Sequence, residues 1–261
     1  MTGYFMNILI TNDDGIYAPG LWALHRSFSP KHSVTVIAPD RERSGVSHGI
    51  TLMEPLRAEK ISVNGLQGIA VSGKPADCVK LGILEFSEQK PDLLLSGINC
   101  GANVGVSVNY SGTVAAAREA ALYGIPAIAV SLQGFEGKHF ADAAAFTEKL
   151  AGDIVPRGLP FGTVLNVNIP DLPREKIAGV RICRQGIRLL EDEYYEKRID
   201  PRNRNYHWLG ADPRICGQDA DVDGDALARN YISVTPITCD MTDHRLLSEL
   251  KNWDMEKNLG R

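Results

Sequence analysis

Two adjacent carboxylates, Asp13 and Asp14, follow the apolar run Asn7-Ile8-Leu9-Ile10-Thr11 and are closed by Gly15. A short apolar run bounded by turn residues predicts a strand buried on both faces, and in an open α/β sheet ligands bind outside the carboxyl ends of such strands. The same residues could also make no more than a turn, with the aspartates bonding local N–H groups and Gly15 supplying an unusual φ. Further along, Ser44, Asn99 and Asn103 stand in polar, glycine-containing segments that also follow apolar runs. Carboxylate, hydroxyl and amide oxygens are hard donors, suited to Mg²⁺ or Mn²⁺ rather than Zn²⁺. Ser111-Gly112-Thr113 opens an alanine-rich segment, and the free N–H groups at a helix start offer a seat for phosphate. A hard cation beside such a seat suits hydrolysis of a phosphoryl group, with Asp13 or Asp14 orienting or deprotonating the attacking water.

These residues need a scaffold that brings their segments to one edge. Pro19 to Leu24 reads as a helix opening with proline, and Ser33 to Ala38 as a second strand whose polar exit carries Ser44. Ile61–Val63 and Gln67–Val71 flank Asn64-Gly65, the strongest short hairpin signal in the chain. A helix from Pro75, with Asp77 in its first turn, spaces Val79, Ile83 and Phe86 as one stripe. Pro91 to Leu95 predicts another buried strand, delivering the glycine-rich loop Ser96 to Gly105. The helix from Ser111 to Leu122 ends at Gly124 and Pro126. Strands at Ile128–Val130 and Thr163–Ile169 then enclose a helix over Phe140–Ile154. The prediction is an α/β fold with a Rossmann-like three-layer core and a mostly parallel sheet over residues 6–180.

Residues 181–261 change in texture and are expected to form a C-terminal extension. Tyr194 to Trp208, charged and aromatic around Asp200-Pro201-Arg202-Asn203, suggests an extended hairpin with little to pack on alone. It reads as a dimerisation element, or alternatively as a surface flap. Strand Tyr231–Val234 and a helix over Asp243–Leu250 close the chain, with hairpin and terminal helix expected to serve oligomerisation.

Composition narrows the partners. With 261 residues, 44% hydrophobic, 23% charged and a formal net charge of -4, the chain has an ordinary globular make-up and no electrostatic bias toward nucleic acid or anionic membrane. It lacks both an apolar run long enough to span a bilayer and a signal-peptide pattern, so a cytoplasmic location is expected. Cys78, Cys100, Cys183, Cys216 and Cys239 are scattered and suggest reduced thiols rather than disulfides or zinc. Met1 to Phe5 precedes a second methionine, Met6, and is left out of the fold reading. Two partial motifs are discounted. Gly68 to Lys74 begins like a phosphate-binding P-loop, but Pro75 occupies the place of the Mg²⁺-binding Ser or Thr. Asp219 to Gly224 begins like a calcium loop, but Asn230 occupies the place of its bidentate Glu, and an acidic loop capping a short helix at Asp225–Arg229 is the simpler reading.

Taken together, Asn12-Asp13-Asp14-Gly15, Ala38-Pro39-Asp40 through Ser44-Gly45, Pro75-Ala76-Asp77-Cys78-Val79, Ser96-Gly97-Ile98-Asn99 through Asn103-Val104-Gly105, and Tyr110-Ser111-Gly112-Thr113-Val114 resemble the SurE family of stationary-phase survival 5'-nucleotidases nearly end to end. The resemblance implies that Asp13, Asp14, Ser44 and Asn99 bind one divalent metal ion per subunit, Mg²⁺ or Mn²⁺. It implies that Asn103, Ser111, Gly112 and Thr113 surround the phosphate. Asp240 and His244, in Asp240-Met241-Thr242-Asp243-His244, match a family Asp and His four residues apart that are thought to shape the site, with the histidine transferring a proton; a surface histidine near a helix start is the alternative. The implied activity is hydrolysis of nucleoside 5'-monophosphates, with 3'-monophosphates and short polyphosphate as further substrates, in a homodimer or homotetramer that exchanges C-terminal elements. Lys74 departs from the family, which usually has Thr there. Two rival readings stand beside this one: a metal- and nucleotide-binding regulatory module without turnover, and a phosphoacceptor receiver domain. The receiver is disfavoured because the comparable strand ends in Ser96 rather than Asp.

Overall fold

The run Asn7–Thr11 forms β1, and its side chains divide between two apolar clusters, Ile8 and Ile10 into one and Leu9 into the other. A strand without polar alternation must be covered on both faces, and helices do this here. The computed structural model describes residues 4–187, 193–211, 219 and 221–253; Met1 to Gly3, Cys216 and Ala220 lie outside them.

After β1 come α1 (Pro19–Phe28), β2 (Ser33–Pro39), β3 (Ala58–Val63), β4 (Leu66–Val71), α2 (Pro75–Leu81) and β5 (Leu93–Cys100). Then follow α3 (Gly112–Leu122), β6 (Ala127–Leu132), α4 (Phe140–Ile154), β7 (Thr163–Ile169) and β8 (Gly179–Ile182). The chain closes with β9 (Glu193–Ile199), β10 (Asn205–Ala211), α5 (Asp223–Ala228), β11 (Tyr231–Thr238) and α6 (His244–Lys251). One nine-stranded sheet has the order β3-β4-β2-β1-β5-β6-β7-β11-β8. Strands β4 to β7 in that order are mutually parallel, while β3 runs antiparallel to β4, and β11 antiparallel to β7. Helices α1 and α4 share the first cluster and α2 and α3 the second, which gives three layers.

Asn64 and Gly65 both have positive φ, 52° and 84°, as the tight turn between β3 and β4 requires. Of the segment that begins like a P-loop, Gly68 to Val71 lie in strand β4 and Lys74 is the residue before α2. The helix expected from Pro75 divides: α2 ends at Leu81 and a π-helical turn continues over Gly82–Phe86, with Ile83 and Phe86 only partly buried against the second cluster. The strand expected to stop at Leu95 continues to Cys100, its register against β6 shifting between Ser96 and Asn99. Asn99 is therefore held on a strand end rather than in a loop.

The hairpin around Asp200–Asn203 is present, with Asn205 paired to Ile199 and Trp208 to Glu196, and β9 and β10 form a sheet of their own. Strand β11 lies between β7 and β8 in the main sheet, and α5 packs on β11 and β7. Asp223 and Asp225, from the segment that begins like a calcium loop, are buried; Asp223 accepts the N–H groups of Gly105 (2.9 Å), Gly186 (3.1 Å) and Gly224 (2.8 Å). Cys78, Cys100, Cys183 and Cys239 are free thiols. Among the described residues, no helix is long and apolar enough to cross a membrane.

Candidate active site

The turn after β1 is braced by neither aspartate. Asn12 closes it instead, since its Oδ1 accepts the Gly15 N–H at 3.2 Å and its Nδ2 donates to the Gly15 carbonyl at 3.0 Å. Gly15 has φ +94°, and an added Cβ would lie 2.9 Å from the Arg41 carbonyl carbon. The turn is closed locally, and the carboxylates of Asp13 and Asp14 are left for other partners.

Asp13 is 5% exposed and faces the start of α3. Its Oδ1 accepts the Thr113 hydroxyl at 2.5 Å, and the N–H groups of Gly112 and Thr113 are also directed to its carboxylate. Gly112 passes so close that an added Cβ would stand 2.8 Å from Asp13 Cβ and Oδ2. Burial raises the Asp13 pKa above the ordinary carboxylate value, against the lowering effect of those hydrogen bonds. Asp14 is pushed up to about 6, first by burial and then by the charge of Asp13 beside it. Among the described residues its one donor is the Cys100 N–H, at a long 3.4 Å from Oδ2.

A cleft of about 430 Å³ opens over these groups, lined also by Ser44, Asn99, Asn103 and Ser111. Three exits from the sheet, after β1, β2 and β5, thus meet at one edge. The Ser44 hydroxyl donates to Glu42 Oε1 at 2.6 Å, leaving its lone pairs free. Asn99 Nδ2 donates to the Gly101 carbonyl at 2.7 Å, leaving Oδ1 as the atom able to hold a cation. Asn103 is fixed by its neighbours on β6 and β7: its N–H donates to Asn168 Oδ1 (2.7 Å), its carbonyl accepts from Asn166 Nδ2 (2.8 Å) and Asn168 Nδ2 (3.1 Å), and its Nδ2 donates to Ser131 Oγ (2.9 Å). Ser111 caps α3, its Oγ accepting the Val114 N–H at 3.1 Å, which leaves the hydroxyl proton free to donate into the cleft.

Asp240 and His244 pair with each other, Nε2 to Oδ2 at 2.7 Å, on the exposed approach to α6; neither lines the cleft. Hydrogen bonds from Thr242 and His244 bring the Asp240 pKa down to about 2. The sequence reading did not single out Asn12, Glu42 or Phe135 as site residues. Glu42 and Phe135 line the cleft, and only the meeting of distant loops reveals this. The part Asn12 plays as brace of the turn likewise shows only in the folded geometry, where its side chain meets Gly15.

Among the described residues lining the cleft, Asp13, Asp14 and Glu42 are acidic and none is Lys, Arg or His. Also among the described residues, no three His, Cys, Asp or Glu side chains gather to hold an ion by themselves. A cation here would rest on two carboxylates, neutral oxygens and water, which fits a hard ion that keeps part of its hydration shell. Crowding two desolvated carboxylates is costly without a cation, so the chemistry of the residues present fits such an ion.

A family described as "Survival protein SurE" matches residues 8–192 of the chain. A protein of Desulfatibacillum aliphaticivorans named 5'-nucleotidase SurE is 57% identical over 97% of this chain and 100% of its own length. One of Geotalea daltonii with the same name is 50% identical over 96% of this chain and 100% of its own. The crystal structure of the SurE protein from Aquifex aeolicus superposes with a TM-score of 0.82 at 39% identity, covering 95% of this chain and 99% of that one.

Proposed function

Because the chain belongs to the SurE family, we propose that it is a 5'-nucleotidase, hydrolysing nucleoside 5'-monophosphates to nucleoside and phosphate in the Asp13–Asp14 cleft with one bound Mg²⁺ or Mn²⁺ per subunit. The observation that carries this reading is the charge of the cleft: among the described residues, a dianionic phosphate has carboxylates for neighbours and no cationic side chain to meet it. Asp13, Asp14, Ser44 Oγ and Asn99 Oδ1 would hold the ion. When bound, the ion would neutralise phosphate charge and acidify a water for attack.

The side chains divide the remaining work. Asp13 is held by Thr113 and the first turn of α3, so it serves as a fixed charge. Asp14 has a long contact to Cys100 and keeps lone pairs free to orient the attacking water and accept its proton. The Ser111 hydroxyl and Asn103, immobilised by Asn166, Asn168 and Ser131, present polar groups to the phosphate oxygens. The same reading extends to 3'-monophosphates and short polyphosphate, and to a homodimer or homotetramer.

Phosphate release from nucleoside 5'- and 3'-monophosphates and tripolyphosphate, with Mg²⁺, Mn²⁺ or chelator, tests the proposal alongside Asp13→Asn and Asp14→Asn. Loss of release with chelator, and a fall of about a hundredfold or more in kcat for each variant, is the expected result. Activity indifferent to both chelator and substitutions would overturn the mechanism. Nucleotide binding without release would reduce the protein to a binding module.

A further inference from the structure

An apolar ring stands at the mouth of this acidic cleft. Phe135 lines the same cavity as Asp13 and Asp14 yet is 89% exposed. Single exposed apolar residues are common on protein surfaces, so exposure alone assigns nothing. Position and mounting are what distinguish Phe135. Its ring lies over Gly101, where an added Cβ would be 3.5 Å from Phe135 Cε1 and 3.8 Å from Asn99 Nδ2. The ring therefore borders the ion-holding end of the cleft.

The loop carrying it is fastened at both ends. On the entry side, Gln133 N–H donates to the Ile169 carbonyl at 2.8 Å. On the exit side, Asp171 accepts the N–H groups of Lys138 (3.0 Å) and His139 (2.9 Å) and pairs with His139 Nδ1 at 2.7 Å. Between these anchors Gly134 and Gly137 take positive φ, +87° and +60°, and Gly137 admits no side chain, since an added Cβ would lie 2.5 Å from the Phe140 ring. The result is an aromatic side chain presented to solvent on a braced tip, beside a site for phosphate.

We infer that Phe135 is the platform on which the nucleobase of the substrate stacks. This rests on the nucleotidase reading above. A base must leave the phosphate end of the cleft by the length of a ribose, and an aromatic face at the rim offers it contact without reading its hydrogen-bonding edge. Stacking accepts every base because each has a π face, and purines gain more than pyrimidines because they cover more of the ring. Tyr110, the other exposed aromatic lining the cleft, adjoins Ser111 in the chain, and replacing it serves as the comparison for Phe135.

The test compares AMP and CMP with ribose 5-phosphate, which carries the same ester and sugar but no base, using the full-length protein and Phe135→Ala, Phe135→Tyr and Tyr110→Ala. Phe135→Ala should lower the ratio of kcat/KM for AMP to that for ribose 5-phosphate about tenfold, mostly through KM, with a smaller fall for CMP. Phe135→Tyr should restore the ratio. Equal losses on esters with and without a base would overturn the inference, as would no loss or the same selective loss in Tyr110→Ala alone. An altered molar mass in Phe135→Ala with an unchanged ratio would overturn it in favour of a subunit contact. Calorimetric binding of AMP and ribose 5-phosphate separates the two readings. If AMP binds more tightly, loses that advantage in Phe135→Ala, and yet no phosphate is released by the wild type, the base platform stands and the nucleotidase reading fails.

Discussion

At the scale of single residues, Asp13 and Asp14 are sequence neighbours in different electrostatic settings. Asp13 is compensated by Thr113 and the start of α3, whereas Asp14 has one long hydrogen bond and a charged neighbour. Its pKa of about 6, against an ordinary 3.8, links to stability with a definite sign. In metal-free protein the protonated form is favoured by folding, so the contribution of Asp14 is fully present below pH 3.8 and is lost as pH rises to about 6. The full loss amounts to about 3 kcal/mol. Asn keeps the shape and removes the charge. Metal-free Asp14→Asn should therefore melt several degrees above metal-free wild type at about pH 7, and the two should converge at about pH 4. Thermal unfolding with excess chelator at both pH values checks this; a variant less stable than wild type at the higher pH would contradict it.

At the scale of elements, the parts legible in the sequence are those governed by local chemistry. The Asn64-Gly65 turn needs two positive φ angles, and α4 has an apolar stripe over its predicted span Phe140–Ile154. What escaped were features set by contacts distant in the chain. Ser96-Gly97 reads locally as the end of a strand, but β6 continues the ladder so that β5 runs to Cys100. Strand β8 is only four residues long, too short for a periodic signal, and it exists because β11 pairs with it. The same holds for the site: the residue types of Asp13, Asp14, Ser44 and Asn99 could be read, but not the clamps on the loop after β5. Asp223, from α5, takes the N–H groups of Gly105, Gly186 and Gly224, so Asp223→Ala would leave three buried or part-buried donors without that acceptor. A loss of about 2–3 kcal/mol in unfolding free energy is expected, together with a fall in kcat of about tenfold as the Asn103 segment loosens. Denaturant unfolding and steady-state kinetics measure both, and Asp223→Asn, which retains one acceptor, should recover part of each.

At the scale of the whole molecule, the main sheet satisfies its own strands while the C-terminal elements leave surface uncovered. Strands β9 and β10 pair only with each other among the described residues, and Tyr195, Ile199, Trp208 and Leu209 stay more than half exposed. A two-stranded ribbon alone in water is marginally stable, so this one needs a surface to lie on. Helix α6 has the same need. Its capping residue Asp243 accepts the N–H groups of Arg245 (3.0 Å) and Leu246 (2.9 Å), yet Leu246 and Leu247 remain 42% and 40% exposed and no residue of the helix is buried. A charged and aromatic arm and an amphipathic helix with no buried residue, both in the C-terminal region, would be covered by an exchange between two copies, each lending its arm to the other. Such a contact is isologous, so removing the arm removes both halves of it at once. Deleting residues 194–208 and joining the ends with a short Gly-Ser linker should therefore lower the molar mass measured by light scattering to that of a smaller assembly. Because the main sheet contains neither β9 nor β10, the shortened chain should keep its circular dichroism spectrum and its cooperative unfolding. An unchanged molar mass in a folded, shortened protein would reject the arm as the subunit contact and leave α6 as the surface to test next.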